Sequence, residues 1–371
     1  MKVLEVTNVD FSLRHFLLPL MQGLRDRGHE VVGVCADGPL LADVRALGFR
    51  VEALPMARSL SPLAQLRAFR ALVRLIRAER PDLLHAHMPI SGVLARLAAR
   101  LCGVRLVAYT CHGFLFNQPG SPKRRAAALL LEWIAGRVTD CYFTVSDEEA
   151  ADARRLHIHR RAVGVGNGRP PARFHPDPDA RARIRAAFGV PDDRVVVIVV
   201  SRLVRHKGHP ELLEAMGAVP EAELWVVGDR LPSDHGESLD DAFARAALPG
   251  ALGPRLRRLG YRTDIAALLA ASDVFALPSH FEGLPMSVIE AMLCGLPVVA
   301  TWIRGPREQV VPGETGLLVP PRDVDALAGA LRRLVADAPL RRRLGEAGRR
   351  RALASYDEAV VVSRTLDLLG A

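Results

Sequence analysis

Two carboxylates, an arginine, a lysine and a histidine carry the chemistry legible in this chain. Glu282 and Glu290 lie in the stretch His280–Glu290, after an apolar run, Val274–Leu277, that reads as a buried strand ending at Pro278-Ser279. Pro285 suits the first position of a helix, because its φ is fixed and its missing N–H would be unpaired there. A helix is therefore placed from about Pro285, with its unpaired amides and positive dipole end beside Glu282 and Gly283. That is an anion site flanked by two acids. Arg202 and Lys207 follow a second apolar run, Val195–Val200. One guanidinium and one ammonium facing a helix start across a topological switch point make a diphosphate clamp that requires no metal. The chain has three lysines, at 2, 123 and 207, against 47 arginines, so an ammonium at 207 stands out. Paired acids also serve hydrolases, but eight residues of helix rise about 12 Å, and a retaining glycosidase pair sits about 5 Å apart. The two acids are expected to read different parts of one long ligand: Glu290 a ribose, Glu282 whatever is attached beyond the phosphates.

His112 follows the strand Arg105–Thr110 and precedes Gly113, which presents its imidazole at the carboxyl end of a sheet. His85 and His87 flank Ala86 and are read as pointing to opposite faces of their strand, which removes them as a paired metal site. Ser146 with Glu149 fits a capping box. Cysteines 35, 102, 111, 141 and 294 show no C-x-x-C spacing. An odd, scattered set points to a reducing compartment and away from a disulfide framework or a zinc site. No residue is assigned to a metal.

The elements that must position these residues alternate strand and helix. In the first half, strands are read at 2–7, 30–36, 50–54, 82–87, 105–110 and 140–145. Helices are read at about 14–27, 39–47, 62–79, 91–102 and 123–136. Such alternation means a parallel sheet with helices on both faces, binding ligands at the carboxyl ends of its strands. The first turn, Asn8 to Ser12, lacks G-x-G-x-x-G, which counts against a dinucleotide dehydrogenase. The Gly/Pro-dense run 163–171 reads as an interdomain linker. The second half repeats the pattern, with strands at 195–200, 223–227, 257–259 and 274–277, and 230–253 as an excursion loop with a short helix. Helices near 323–336, 339–353 and 358–369 close the chain. A length of 371 residues fits two domains, placed at 1–168 and 178–355 with 169–177 between them and 356–371 returning to the first.

The net charge of +9 is uneven: residues 1–170 hold 24 Lys/Arg against 15 Asp/Glu, and residues 171–371 hold 26 against 26. An acidic partner is expected on the first half. Nucleic acid is disfavoured, since no recognition motif is present and aromatics are few. An anionic membrane surface fits better. Two helices carry the excess. In 62–80, Arg67, Arg70, Arg74, Arg77 and Arg80 share one period, with Leu66, Phe69, Val73 and Ile76 on another face. Lys123-Arg124-Arg125 lead into an apolar helix with Trp133; both resemble membrane-surface helices. No signal peptide and no spanning run of about 18 apolar residues is read, so the expected location is cytoplasmic, peripheral on the inner face of the cell membrane.

Taken together, Ser201-Arg202, His206-Lys207-Gly208 and Glu282 with seven residues before Glu290 resemble the retaining glycosyltransferases of family 4. The resemblance extends to Arg27–Val31, Leu84–His87, Thr110–Gly113, Gly260–Ile265 and Glu314–Val319. It implies the α/β GT-B fold, two Rossmann-like doubly wound domains facing a deep interdomain cleft. It also implies a nucleotide-sugar donor on the second domain and an acceptor on the first. Arg202, Lys207 and the Gly283 and Leu284 amides would hold the diphosphate, Glu290 the ribose, and Tyr261 and Arg262 the base. Glu282 would hold the sugar, and His112 would contact it. Asn8, Ser12 and His15 are placed on the acceptor side. Where many members have a Gly-Gly loop, Asn8 to Ser12 has no glycine, similar to a bacterial branch that builds lipid-linked or exported polysaccharides. The expected reaction is a metal-independent, front-face transfer with retention, moving a hexose or N-acetylhexosamine from a UDP-sugar, with no cofactor. The rivals are an epimerase of the same fold, transfer to a small soluble acceptor, and a two-domain sugar-binding protein.

Overall fold

The computed structural model describes residues 1–56, 61–118, 120–230, 234 and 237–371. The chain forms two compact units, Met1–Asn167 with Ala359–Ala371, and Gly168–Glu358.

The first unit is built on seven parallel strands: β1 (Lys2–Val6), β2 (Glu30–Cys35), β3 (Arg50–Ala53), β4 (Leu83–His87), β5 (Leu106–Cys111), β6 (Cys141–Thr144) and β7 (Val163–Gly164). Their spatial order, β3-β2-β1-β4-β5-β6-β7, reverses between β1 and β4. The connections are α1 (Asp10–Ser12), a π-helical turn at Leu13–Leu17, α2 (Leu18–Asp26), α3 (Leu41–Ala46), α4 (Pro62–Glu79), α5 (Pro89–Leu101), α6 (Pro122–Gly136) and α7 (Asp147–Arg155). Strand alternation divides the core. Leu4 and Val6 pack with Leu72, Ile76 and Ala95 on one face, and Val3 packs with Leu13, Met21 and Leu24 on the other.

Three local expectations change here. Helical structure begins at Asp10, not near Arg14. The Asp10 carboxylate accepts the N–H groups of Phe11 at 2.8 Å and Leu40 at 3.2 Å, which fixes the turn after β1. The glycine-rich run read as a linker contributes β7, paired with β6 through Phe143↔Val163. The buried stripe of α4 is Ala68, Leu72 and Ile76, a four-residue period; Leu66, grouped with Ile76 on one apolar face, is 44% exposed. Ser146 does cap α7, its Oγ accepting the Glu149 N–H at 3.1 Å.

The second unit has six parallel strands in the order β10-β9-β8-β11-β12-β13. They are β8 (Val195–Val200), β9 (Ala222–Val227), β10 (Leu256–Gly260), β11 (Val274–Leu277), β12 (Val298–Thr301) and β13 (Gly316–Val319). The order reverses between β8 and β11. The helices are α8 (Pro178–Phe188), α9 (His209–Gly217), α10 (Asp240–Ala246), α11 (Ile265–Ala270), α12 (Met286–Leu293), α13 (Pro306–Gln309), α14 (Val324–Ala336) and α15 (Ala338–Ser355). Part of the expected excursion 230–253 lies outside the described residues; α10 is its described helix. Pro285 is the residue before α12, with φ −66° and ψ 121°, so the helix starts at Met286, one position after the start expected from the proline ring.

The last helix, α16 (Glu358–Leu369), belongs to the first unit. It lies close enough to α2 that a Cβ on Gly23 would come within 2.7 Å of Val362. Arg27, just after α2, donates to the Asp367 carboxylate at 2.7 Å.

Candidate active site

In the second unit, the reversal between β8 and β11 opens a crevice at the carboxyl ends of those two strands, where α/β sheets bind ligands. The loop after β8 supplies Arg202 and Lys207, and the loop after β11 supplies Glu282, Gly283 and Leu284. The two loops are joined: the His280 N–H donates to the His206 carbonyl at 2.7 Å, and His280 Nε2 lies 3.1 Å from Glu211 Oε1. Glycine is required at two close approaches. Gly208 has φ +76° and a Cβ there would sit 2.0 Å from the Pro278 carbonyl oxygen. Gly305 has φ +82°, and its Cβ would sit 1.9 Å from the Gly283 carbonyl oxygen.

Lys207 and Glu282 form one ion pair. Lys207 Nζ donates to Glu282 Oε1 at 2.6 Å, and Ser279 Oγ donates to the same oxygen at 2.6 Å. Their side chains are only 16% and 8% exposed. Glu282 Oε2 accepts no hydrogen bond among the described residues, so one carboxylate oxygen remains for a ligand. Arg202 is more open and pairs with Asp234. No side chain caps α12, so amides at its start lack intrahelical partners and favour an anion.

Glu290 lies on α12, buried, with Oε1 accepting from Arg169 Nε at 2.7 Å. Burial pushes its carboxyl above the usual range, opposed by the guanidinium of Arg169. The two acids are thus held by different cations, Glu282 by Lys207 and Glu290 by Arg169. Tyr261 and Arg262 follow β10, two strands from β8. Tyr261 is 63% exposed, and Arg262 is held by Asp264 through bonds of 2.8 and 2.6 Å. They share the carboxyl end of the sheet with Lys207 and Glu282 but do not touch that pair.

In the first unit, His112 follows β5 and is half-buried. Burial, together with the neighbouring His87 and His85, lowers its imidazole pKa to about 3, so it is neutral at physiological pH. Phe16, in the π-helical turn, stacks on it with ring centroids 6.4 Å apart. His15 lies in the same turn, its ring 4.4 Å from that of Phe11. Asn8 lies just after β1, and its Oδ1 is buried without a hydrogen-bond partner. Ser12 is buried within the first helical turn, so of the three residues placed on the acceptor side it is the one enclosed by the fold.

The reading of His85 and His87 as facing opposite sides of β4 is wrong. Residues two apart on a strand share a face, and the two rings lie 4.1 Å apart by centroid. Glu5 pairs in register with His85; its Oε1 is 3.2 Å from His85 Nδ1 and its Oε2 is 2.7 Å from His87 Nε2. All three are buried, and their donor atoms lie within 4.8 Å of one another, a spacing that could also hold a cation.

Several contributors escaped the sequence reading. Arg169 was assigned to a linker. Ser279 was read only as the end of a strand. His209, at the start of α9, holds the loop after β8, with Nε2 donating to the Arg202 carbonyl at 3.0 Å. Its position directly after Lys207-Gly208 was the available signal.

Residues 180–351 match the glycosyl transferases group 1 family, and residues 13–168 match the glycosyl transferase 4-like domain. A relative from Bacillus subtilis, the putative glycosyltransferase EpsD, is 30% identical over 386 residues, covering 100% of this chain and 96% of its own. The chain belongs to the group 1 glycosyltransferases. This glycosyltransferase is also 28% identical to an Escherichia coli UDP-Gal:alpha-D-GlcNAc-diphosphoundecaprenol alpha-1,3-galactosyltransferase, with 91% of each chain covered. It is 36% identical to a GDP-mannose-dependent phosphatidylinositol monomannoside mannosyltransferase of Mycolicibacterium smegmatis, covering 76% of this chain and 74% of that one. Among solved structures, HepE from Anabaena in complex with UDP superposes with a TM-score of 0.85 at 24% identity over the whole of both chains. That likeness shows the GT-B fold. In this family a nucleotide-sugar is a substrate, not a cofactor.

Proposed function

We propose that this glycosyltransferase moves a hexose or N-acetylhexosamine from a UDP-sugar to a lipid-linked or polysaccharide glycan precursor, with retention and without a metal. The observation that carries the reading is the Lys207–Glu282 pair at the start of α12. A half-buried ammonium and the amides at the helix start face the place where charge develops on a departing diphosphate, and such preorganised donors stabilise that charge. Arg202 exchanges Asp234 for phosphate oxygens, and the Gly283 and Leu284 amides complete the diphosphate site. Glu282 Oε2 accepts from a sugar hydroxyl and Glu290 from the ribose, with the backbone of Tyr261 and Arg262 against the base. On the first unit, His112 meets a hydroxyl of the reacting sugar. Asn8 and His15 lie toward the acceptor, and Ser12 supports that turn from within. In a front-face displacement the leaving phosphate oxygen takes the acceptor proton, so no protein base is required opposite the donor.

The base distinguishes this reading from a GDP-sugar enzyme, which one relative's name makes the specific rival. A panel of UDP-, GDP- and ADP-sugars, assayed for transfer or slow donor hydrolysis with and without chelator, tests it. Turnover of a UDP-sugar unchanged by chelator is expected. Turnover confined to GDP-sugars, or abolished by chelator, contradicts it.

Membrane docking rests on α6 and α4, which both pack against α5 on one side of the sheet. On α6, Leu130, Leu131, Trp133 and Ile134 are 37–56% exposed beside the exposed Lys123 and Arg124, and Leu63 on α4 is 69% exposed. Among the described residues, no helix is long and apolar enough to cross a membrane. The chain is expected to sediment with vesicles containing anionic phospholipid at low salt and to be released at high salt. At about 1 kcal/mol per basic residue near such a surface, replacing Lys123 and Arg124 by serine weakens binding ~30-fold. Equal binding to zwitterionic vesicles, or no effect of the two substitutions, favours a soluble acceptor.

A further inference from the structure

A chain of buried polar groups leads from the centre of the first sheet to His112. Glu5 lies on β1, His85 and His87 on β4, and Thr110 on β5, with Glu5 opposite His85 and His87 opposite Thr110 in the strand registers. All project to the face that carries α2 and α16, and Glu5, His85 and His87 are at most 1% exposed. His87 Nδ1 lies 3.3 Å from His112 Nε2. His85 spans Glu5 and Thr110, its Nε2 2.8 Å from Thr110 Oγ1.

The proton positions follow from one end. Burial would raise the Glu5 carboxyl, but His85 and His87 hold it down to about 2, so it is ionised and can only accept. His87 Nε2, 2.7 Å away, therefore carries a proton. Burial lowers the His87 imidazole to about 4, so the ring is neutral and its Nδ1 bears a lone pair. The His112 nitrogen that meets Nδ1 must then be the donor. With His112 also neutral, its Nδ1 is left as an acceptor.

We propose that Glu5 and His87 are positioning residues for His112: the hydrogen-bonded relay Glu5–His87–His112 locks His112 as the Nε2–H tautomer, so that Nδ1 accepts from a sugar hydroxyl. The role in transfer rests on the reading of His112 given above; the tautomer does not. A chain of imidazoles anchored on a carboxylate fixes ring orientation and hydrogen-bond polarity together. Stacking of Phe16 on His112 holds the ring plane from the other side. A cation bound by Glu5, His85 and His87 would compete for the same lone pairs and break the relay.

The test is the tautomeric state of each imidazole in the full chain labelled with 15N-histidine, read from two-bond proton–nitrogen correlations and assigned with His112→Asn and His87→Asn. Wild type is expected to show His87 and His112 both as the Nε2–H form. Glu5→Leu removes the acceptor of His87 Nε2–H, and the exclusive Nε2–H form of both rings is expected to be lost, with kcat falling 10- to 100-fold and KM for the donor little changed. An Nδ1–H form for His112 in wild type overturns the relay, as does a tautomer unaffected by Glu5→Leu, or stoichiometric metal whose removal shifts these signals. The wild-type spectrum decides the matter even if Glu5→Leu fails to fold. Full activity in His112→Asn would remove the catalytic reading while leaving the tautomer assignment standing, so the two failures are distinguishable.

Discussion

Lys207→Ala is expected to lower kcat/KM for the nucleotide-sugar by a factor of 10² to 10³, with a smaller loss of stability than at the fully buried pair described next. The substitution does two things at once. It removes the compact ammonium nearest the start of α12, and it leaves Glu282, 8% exposed, as an uncompensated carboxylate beside an incoming diphosphate. Truncating one member of a buried hydrogen-bonded charge pair costs roughly 2–5 kcal/mol, and each 1.4 kcal/mol is a factor of ten. Glu282→Gln separates the two contributions. It keeps the shape and the contact with Ser279 but removes the repulsion, so the donor is still held while the sugar loses an anionic acceptor. A fall mainly in kcat is expected for Glu282→Gln, against a fall in both kcat and affinity for Lys207→Ala. Equal, small effects on kcat/KM from both variants would mean that this pair is structural.

The largest effect on stability is expected at a different buried pair. Arg96 on α5 is fully buried, with Nη2 donating to Glu132 Oε1 at 2.8 Å and Nε donating to the Gly92 carbonyl at 2.9 Å. Its guanidinium lies 3.7 Å from the centroid of the Tyr109 ring, and the Tyr142 hydroxyl donates to the same Glu132 oxygen at 2.8 Å. Glu132→Ala leaves an arginine that cannot deprotonate without its counter-charge, at a cost of about 3–5 kcal/mol. For a unit of this size that corresponds to a fall in melting temperature on the order of 10 °C. Replacing both partners, Arg96→Met with Glu132→Leu, removes the unpaired charge and is expected to recover most of the loss. A double variant no more stable than Glu132→Ala would show that the network holds the fold by shape and not by charge balance.

How much of this was legible in the sequence differs between elements for physical reasons. The alternation of buried strands with amphipathic helices is written in local periodicity, so the strands around both sites could be placed, and with them Arg202, Lys207, Glu282 and His112. Pairings between distant residues are not local. Nothing in the sequence ties Arg169 to Glu290, 121 positions away, and glycine and proline around Arg169 give the segment the look of a linker. Arg96 was hidden among 47 arginines, and its pairing with Glu132 with it, because a buried guanidinium differs from a solvated one only in what packs on it. The histidines of β4 were legible and were misread: the two-residue period of a strand places both on one face, beside Glu5. The π-helical turn at Leu13–Leu17 has no sequence signature of its own, yet it sets Phe16 beside His112.

The account turns on where the nucleotide binds, and hydrogen exchange of the full chain with and without saturating UDP measures that directly. Protection is predicted in peptides covering 201–208 and 279–291, the two loops and the helix start that hold Arg202, Lys207, Glu282 and Glu290, and it is predicted to weaken in Lys207→Ala. Protection confined to the first unit, or absent from both of those segments at saturation, would contradict it.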